Sequence, residues 1–281
     1  MKRQNRAVAI ALSATLCACA LFAATPIGWW SMDSLSANGT VPDLSGNNRP
    51  LTLLGNACLT NDAVSGMALC NPGDTLGSCA QFQCPGGIKA RSIAMWVKLE
   101  NDDGTYTYSN GNNSYPHLFN NFSAMRLIWS YNEKGPGATL YAGNPLGVKF
   151  VKPRGSWSHL VVTVGNVAAD ESTADFNIYQ DGVMTCATNV ALAANWRTAG
   201  STTVSLSGNG GNRPIRGVID EVKVYDVALT PLEVQEEFER FANPDSVFGH
   251  WTMEDSYASN GKVYVNDAFG RQTLELSVVP C

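Results

Sequence analysis

The chain contains one polar segment, NDDGTYTYSNGNNSYPH, whose side chains are suited to binding sugars. Tyr106, Tyr108 and Tyr115 stand there among amide and hydroxyl side chains, and Trp129 and Tyr131 follow on the next strand-like run. Aromatic faces stack on sugar rings, while amides and hydroxyls bond to their hydroxyl groups. The segment therefore predicts a carbohydrate site. The alternative is that these aromatic residues pack in a core or at a sheet edge.

The sequence contains no familiar catalytic motif. A Gly-x-Ser-x-Gly turn, a phosphate-binding loop and a dinucleotide fingerprint are all missing. His117 and His250 have no obvious partners for a catalytic triad. His159 stands in an apolar run, which favours a structural role over that of a general base. Binding is therefore favoured over catalysis.

The cysteines predict disulfide bonds in an exported chain, because thiols oxidise outside the cytosol. Of the eight cysteines in the chain, two fall in a segment that resembles a cleaved signal. The remaining candidates are Cys58, Cys70, Cys79, Cys84, Cys186 and Cys281. Cys79 with Cys84 would close a local loop, and Cys58 with Cys70 would join neighbouring strands, but six cysteines allow fifteen connectivities. A zinc site is not favoured, since no Cys-x-x-Cys pair is present.

Residues 1–24 have the form of a secretory signal. Lys2, Arg3 and Arg6 precede an apolar run too interrupted to be a stable membrane span, and no other segment is apolar enough to be one. We therefore expect a secreted or cell-surface protein. Loss of the three basic residues would make the net charge more negative than the −5 of the whole chain. That charge disfavours nucleic acid and anionic membranes as partners and is compatible with a glycan or an extracellular protein.

The segment from Gly217 to Tyr225, GVIDEVKVY, predicts a β-strand because its side chains alternate between two environments. On that alternation, Val218, Asp220, Val222 and Val224 share one face. Asp220 is then the acidic member of an otherwise apolar face.

A short helix is predicted at 231–241. Thr230 is its N-cap, Pro231 fits the first helical position and Glu233 completes a capping box. Apolar residues then recur at helical spacing, which indicates one buried face. This is the only helix that the sequence predicts clearly.

Strand-like runs recur along the chain and are separated by glycine, asparagine and proline. This pattern is typical of a two-sheet sandwich. The predicted runs are 28–33, 50–54, 65–70, 91–99, 124–131, 138–142, 157–164, 175–181, 202–207 and 216–225.

Four motifs identify the fold more closely. They are GWWSMD at Gly28 with DLSGN at Asp43, SIAMWVK at Ser92, WSHLVVT at Trp157 with IYQDG at Ile178, and GVIDEVKVYDVALTPLEV at Gly217. In this order they resemble the laminin-G-like jelly-roll family of the concanavalin A-like lectin/glucanase superfamily, over about residues 28–242. The resemblance implies an all-β fold at 25–245, a two-sheet antiparallel jelly-roll sandwich with one short C-terminal helix.

The resemblance also implies a calcium site that includes Asp220 of the closing strand. The other matching positions are Asp33, Asp43, Gly46 and Asn47. Calcium takes six to eight oxygen ligands, often from carboxylates and backbone carbonyls. The alternative is that Asp220 is a hydrogen-bonded strand residue and that Asp43 forms an Asx turn.

Related glucanases of the superfamily carry a Glu-x-Asp-x-x-Glu strand that presents two carboxylates for retaining hydrolysis. Glu100 and Asp102 begin such a run, but Thr105 stands where the second glutamate should be. We therefore predict a secreted non-catalytic module that binds a carbohydrate or another cell-surface ligand. The alternative is an accessory domain of a larger secreted enzyme, such as a glycoside hydrolase, whose catalytic part is elsewhere.

The end of the chain, 246–281, repeats features of its beginning. Residues 249–254 mirror 28–33, and residues 274–281 mirror 51–58. Similarity at a nearly constant offset is the signature of a repeated domain. Because a jelly roll closes its sheets with strands from both ends of its chain, we predict an incomplete second copy. The alternative is an extension that resembles the start by chance.

Overall fold

The computed structural model describes part of the chain in detail. The described residues are 24–71, 77–84, 90–99, 117–121, 125–130, 137–141, 155–192, 203–208, 214–242, 251–259, 262–267 and 273–276. For those of the described residues that lie between 121 and 141 or after 250, only the backbone is described. The predicted signal, residues 1–24, lies outside the described residues apart from Ala24.

The described residues form eighteen strands and one helix. They are β1 Gly28–Trp30, β2 Thr40–Val41, β3 Leu51–Leu54, β4 Cys58–Thr60, β5 Ala68–Asn71, β6 Cys79–Gln83, β7 Ser92–Leu99, β8 His117–Asn121, β9 Met125–Ser130, β10 Gly137–Tyr141, β11 Ser158–Gly165, β12 Thr173–Gln180, β13 Val183–Ala191, β14 Thr203–Leu206, β15 Gly217–Tyr225, α1 Pro231–Ala242, β16 Trp251–Ser259, β17 Lys262–Asp267 and β18 Thr273–Leu276.

Two antiparallel sheets face each other. The first sheet has the order β13-β12-β11-β7-β15-β5-β4, and β1 also pairs with β15. The second sheet has the order β10-β9-β8-β14-β6-β3-β2. Strands from the two ends of the domain, β1 and β15, therefore meet in one sheet, and the predicted jelly-roll sandwich is confirmed.

The core lies between the two sheets. Alternate residues of each strand point inward, so that Leu69, Ile93 and Val162 of the first sheet join Phe119 and Leu206 of the second in one buried cluster. Burying each such side chain stabilises the fold by about 2 kcal/mol relative to leaving it in water.

A β-bulge in β15 changes which residues share a face. Its pairing with β7 shifts register between Asp220 and Lys223, and Glu221 has a φ of 46°. Val222 and Val224 therefore join the core, whereas Asp220 faces Trp96 of β7 on the outer face. The predicted grouping of Asp220 with these two valines is wrong, because the alternation takes no account of an extra residue.

Helix α1 covers part of the outer face of the first sheet. Its predicted capping box is confirmed, since Thr230 N–H donates to Glu233 Oε2 at 2.7 Å and Glu233 N–H donates to Thr230 Oγ1 at 3.2 Å. Val234 is buried against the sheet with Ala94 and Val161. Within the described ranges, no helix combines the length and apolarity that a membrane crossing requires.

The end of the chain forms a separate sheet in which β16 pairs with β17 and β17 with β18. At the start of the chain, β1 instead pairs with β15, and β2 pairs with β3. Because β16 pairs differently from β1, the predicted second copy at 246–281 is not confirmed.

Candidate functional site

Asp220 anchors a loop to the outer face of the first sheet. It is fully buried. Its Oδ2 accepts hydrogen bonds from the N–H groups of Val64 at 2.9 Å and Ser65 at 3.1 Å, and its Oδ1 accepts one from Glu221 N–H at 2.8 Å. Burial raises the pKa of Asp220 to about 7, although the backbone N–H groups act in the opposite direction. We call the segment between β4 and β5 the 61–67 loop.

Asp33 holds the same loop. Its Oδ1 accepts a hydrogen bond from Met67 N–H at 3.1 Å. Gly66 lies directly against this carboxylate, since a Cβ on Gly66 would stand 1.8 Å from Asp33 Oδ1. The φ of Gly66 is also +58°, which favours glycine. Two predicted calcium ligands, Asp33 and Asp220, are thus brought to one loop.

Asp43 belongs to a different turn, which follows β2. Its Oδ1 accepts hydrogen bonds from Trp29 N–H at 3.1 Å and Ser45 N–H at 2.9 Å, and its Oδ2 accepts one from Arg49 N–H at 3.0 Å. The bond from Ser45, two residues on, makes this an Asx turn. Asp43 therefore fixes the chain between β1 and β3.

The two remaining predicted ligands complete this turn. Gly46 has a φ of +82°. The Asn47 side chain donates from Nδ2 to the carbonyl of Ile27 and to Ser45 Oγ, both at 3.2 Å. Both residues thus have a local role in the turn.

Calcium does not fit these residues as they are arranged. It requires six to eight oxygen ligands, whereas both oxygens of Asp43 and of Asp220, and one of Asp33, face backbone N–H hydrogens. Within the described part of the chain, no group of three or more His, Cys, Asp or Glu residues is placed to hold a metal. The calcium site therefore stays a prediction.

The predicted sugar-binding aromatic residues are not tested. Tyr106, Tyr108, Tyr115 and Tyr131 lie outside the described residues. Trp129 lies in β9, of which only the backbone is described. The aromatic surface therefore also stays a prediction.

A row of polar residues crosses the second sheet at right angles to its strands. These residues occupy facing positions on β2, β3, β6, β14 and β8, and we call them the polar row. They are Thr40, Thr52, Gln81, Ser205 and Asn120. Their chain neighbours Val41, Ala80 and Leu206 enter the core, so the polar row lies on the outer face. At about 4.8 Å between strands, it is roughly 19 Å long.

Exposure falls along the polar row. Thr52 is exposed and Gln81 is half-buried, whereas Ser205 and Asn120 are fully buried. The described side chains of the row present only hydroxyls and amides, groups that both donate and accept hydrogen bonds. This combination suits an uncharged, hydroxyl-rich ligand that enters from the β3 side.

Neighbouring positions extend this surface. Beside the polar row, Thr203 Oγ1 donates to Gln83 Oε1 at 3.1 Å. The facing positions continue through the backbone of Arg126 in β9 and Tyr141 in β10. Sequence reasoning missed the row because its members lie far apart in the chain, and only the strand register places them together.

The outer face of the first sheet instead carries buried charges beneath α1. Lys223 Nζ lies 2.5 Å from Glu237 Oε2, and Tyr225 OH donates to Glu237 Oε1 at 3.1 Å. Lys223 Nζ also lies 5.0 Å from the centre of the Trp29 ring. Burial opposes the charge on Glu237, but the Lys223 and Arg240 cations hold its pKa below the usual value. These contacts fasten α1 to β15.

His159 lies in the same buried region, with its ring centre 5.2 Å from that of Trp96 and 6.1 Å from that of Phe238. Burial lowers the pKa of His159 to about 3, so the imidazole is neutral at physiological pH. Because it is covered by α1, His159 has no access to a substrate.

No disulfide joins the cysteines of the described residues, and Cys281 lies outside them. Cys79 begins β6 and Cys84 follows its end. At about 3.3 Å per residue, their Cα atoms lie roughly 16 Å apart, too far for a disulfide. The predicted local pairing therefore does not fit this strand. Cys58 and Cys70 face each other in the β4–β5 pair.

Comparison with known families gives one match. The model of a laminin-G-like family, described as the concanavalin A-like lectin/glucanases superfamily, matches residues 80–235. No curated protein matches the chain.

Solved structures share the fold at low sequence identity. Domain 4 of AbnA, a GH43 extracellular arabinanase from Geobacillus stearothermophilus, in complex with arabinotriose, has a TM-score of 0.53 at 20% identity, covering 76% of this chain and 98% of that chain. The binding domain of botulinum neurotoxin DC in complex with rat synaptotagmin II has a TM-score of 0.54 at 12% identity, covering 86% and 62%.

A structure of botulinum neurotoxin type C, whose cell entry is dependent upon interaction with two ganglioside molecules, has a TM-score of 0.54 at 13% identity, covering 86% and 61%. This chain therefore spans about three fifths of the length of the two toxin chains. At these identities the likeness shows the fold alone.

Proposed function

Because the chain belongs to the laminin-G-like family of the concanavalin A-like lectin/glucanases superfamily, we propose that it is a secreted, non-catalytic module that binds carbohydrate. The observation that carries the proposal is the polar row. A surface of hydroxyls and amides matches the hydrogen-bonding groups of a neutral sugar chain.

The row also matches an extended ligand in shape. Its five described members follow one line across the strands for roughly 19 Å. A ligand lying along the accessible part of this line, from Thr40 to Gln81, meets one hydroxyl or amide side chain at each strand, whereas Ser205 and Asn120 are buried. None of the five members from Thr40 to Asn120 is charged, although Arg126 occupies the next facing position, and these five suit a neutral glycan.

The described carboxylates support a role without catalysis. Retaining hydrolysis needs two carboxyl groups that are free to face one glycosidic bond. Asp33, Asp43 and Asp220 bind backbone N–H groups, and Glu237 binds Lys223 and Tyr225. These acidic groups are therefore committed to the fold.

The structural neighbours favour the same ligand class. Domain 4 of AbnA is seen with arabinotriose, and botulinum neurotoxin type C interacts with two gangliosides. Arabinotriose, a neutral glycan, is therefore the first probe for this chain, and the acidic, sialylated sugar portion of gangliosides is the contrasting probe.

The test is a glycan array that includes arabinotriose and ganglioside sugars, followed by calorimetry with the retained glycan. We expect Gln81→Ala to weaken binding about tenfold, which corresponds to about 1.4 kcal/mol, the size of one net hydrogen bond. Gln180→Ala is the matched control, because Gln180 is also half-buried but lies on β12 of the first sheet.

An array without any retained glycan contradicts the proposal. Equal affinity losses in Gln81→Ala and Gln180→Ala would also contradict it, because the effect would then not be specific to the second sheet. The likeness to domain 4 of AbnA favours one variant of this function, an accessory module attached to a secreted enzyme. Co-purification of an enzyme chain with this module tests that variant.

A further inference from the structure

The hairpin of β4 and β5 places two cysteines opposite each other at an edge of the first sheet. Cys58 faces Cys70, and the adjacent pair is Leu59 with Leu69. Both leucines contact the core cluster. Because side chains alternate along a strand, Cys58 and Cys70 share the outer face.

We propose that Cys58 and Cys70 form a cross-strand disulfide when the protein meets an oxidising environment. Facing residues of antiparallel strands have Cα atoms about 4.5–5.5 Å apart, which lies within the range of about 4.4–6.8 Å that a disulfide spans. No disulfide joins the two residues in this structure. Cys58 is exposed and Cys70 is half-buried, so a small oxidant reaches the pair from solvent.

Two other described cysteines, Cys186 and Cys79, are poorly placed to compete. Cys186 lies on β13 at the opposite edge of the first sheet, five strands from β5 and so roughly 24 Å away. Cys79 lies on β6 of the second sheet, where its neighbour Ala80 enters the core. The Cys79 side chain therefore lies on the outer face of the second sheet, on the opposite side of the sandwich from Cys70.

The disulfide would close the chain around the 61–67 loop. This loop lies between Cys58 and Cys70, and its N–H groups bind the carboxylates of Asp33 and Asp220. A covalent link at the base of the hairpin restricts the loop in the unfolded chain and keeps it in place in the folded one. The link would therefore stabilise the contacts that hold Asp220.

The reaction requires a disulfide donor such as oxidised glutathione. The Cys58 thiolate attacks one sulfur of the donor, forms a mixed disulfide and releases one glutathione thiolate. The Cys70 thiolate then attacks the Cys58 sulfur and releases the second glutathione. The protein loses two electrons and two protons, and these reduce one oxidised glutathione to two thiols.

The experiment compares the purified chain in a glutathione redox buffer and in a reductant. We expect alkylation and peptide mass mapping to find a peptide in which Cys58 is linked to Cys70, and reduction to lower Tm by roughly 5–10 °C. Cys58→Ser should abolish the effect of reductant on Tm. Cys186→Ser is the control and should keep it.

Two results would overturn the proposal. One is alkylation of both Cys58 and Cys70 in the oxidised, folded chain. The other is a linked peptide that joins either residue to a different cysteine. If Cys58→Ser fails to fold, the peptide map of the unmutated chain decides on its own.

Discussion

The outer faces of the two sheets carry polar residues for opposite purposes. Beneath α1 and the 61–67 loop, the polar groups of the first sheet are charged, buried and paired, as Lys223 is with Glu237 and as Asp220 is with the 61–67 loop. On the second sheet they are uncharged, and exposure rises along the polar row toward Thr52. One sandwich therefore has one face covered in part by its own helix and loop, and one face whose polar row reaches solvent at Thr40, Thr52 and Gln81.

The two faces also differ in the energetic cost of burying their polar groups. A buried charge is costly unless a partner and hydrogen bonds satisfy it, so the charges of the first face hold their partners in fixed places. Hydroxyls and amides cost less to leave in contact with water, and they exchange water for sugar hydroxyls at little cost. The comparison predicts that mutations on the first face alter stability, whereas mutations on the second alter affinity.

The largest expected effect comes from removing one charge of the buried pair. Lys223→Met leaves Glu237 buried without its nearest cation, with only Arg240 at 3.9 Å, so we expect the free energy of unfolding to fall by about 3 kcal/mol. Sugar affinity should not change at temperatures where the variant is folded. Urea denaturation measures the loss.

Lys98→Met is the control for that change, because Lys98 pairs with the half-exposed Asp62 at the surface. We expect it to cost less than about 1 kcal/mol. Similar losses of unfolding free energy in Lys223→Met and Lys98→Met would show that burial of the Lys223–Glu237 pair adds nothing to the stability of the fold.

A second effect concerns the contact between the 61–67 loop and Asp33. Gly66→Ala would place a methyl group against Asp33 Oδ1 at a residue with positive φ. We expect a loss of about 2–3 kcal/mol, from backbone strain and from displacement of the carboxylate. The change in Tm on heating gives the measure.

Gly39→Ala separates these two causes. Gly39 also has a positive φ, of +79°, but a Cβ there would meet nothing within 4 Å. We expect Gly39→Ala to lower the free energy of unfolding only by the backbone strain, about 1 kcal/mol. Equal losses for Gly66→Ala and Gly39→Ala would mean that the contact with Asp33 is not tight.

A smaller effect should follow from pH. The folded chain holds the pKa of Asp220 near 7, against a usual value of 3.8. The folded state therefore keeps this proton when the unfolded state has lost it, and stability falls as pH rises from about 4 to about 7. Between pH 5 and pH 8 we expect Tm to fall by a few degrees more in the unmutated chain than in Asp220→Asn. Parallel pH profiles for the two proteins would contradict this assignment.

Much of the architecture could be predicted because it is local. All ten strand-like runs contain observed strands, and the capping box at Thr230 and Glu233 starts α1 as expected. Within the first domain, the strands β2, β4, β6, β8 and β13 lie outside those runs. β13 reads VMTCATNVA, an exposed edge strand without the alternation that marks a buried face.

The candidate site could not be predicted in the same way. The bulge turns Asp220 away from Val222 and toward a loop some 155 residues earlier, which no local pattern indicates. The polar row exists only through the register of strands that are distant in sequence. Pattern reasoning identified Asp220 as important, but the partners that define its role come from the tertiary structure.

The smallest expected effect is that of added calcium on Tm. It tests whether a cation binds to the carboxylates of Asp220 and Asp43. Extracellular calcium modules bind at about 10⁻⁴–10⁻³ M. In 10 mM calcium such a site would be filled, and at 100 times Kd it would add about 2.7 kcal/mol to stability. Since N–H hydrogens face the oxygens of Asp220 and Asp43, we expect almost no change in Tm. A clear rise that Asp220→Ala abolishes would instead support the site implied by the family resemblance, with the 61–67 loop rearranged around the ion.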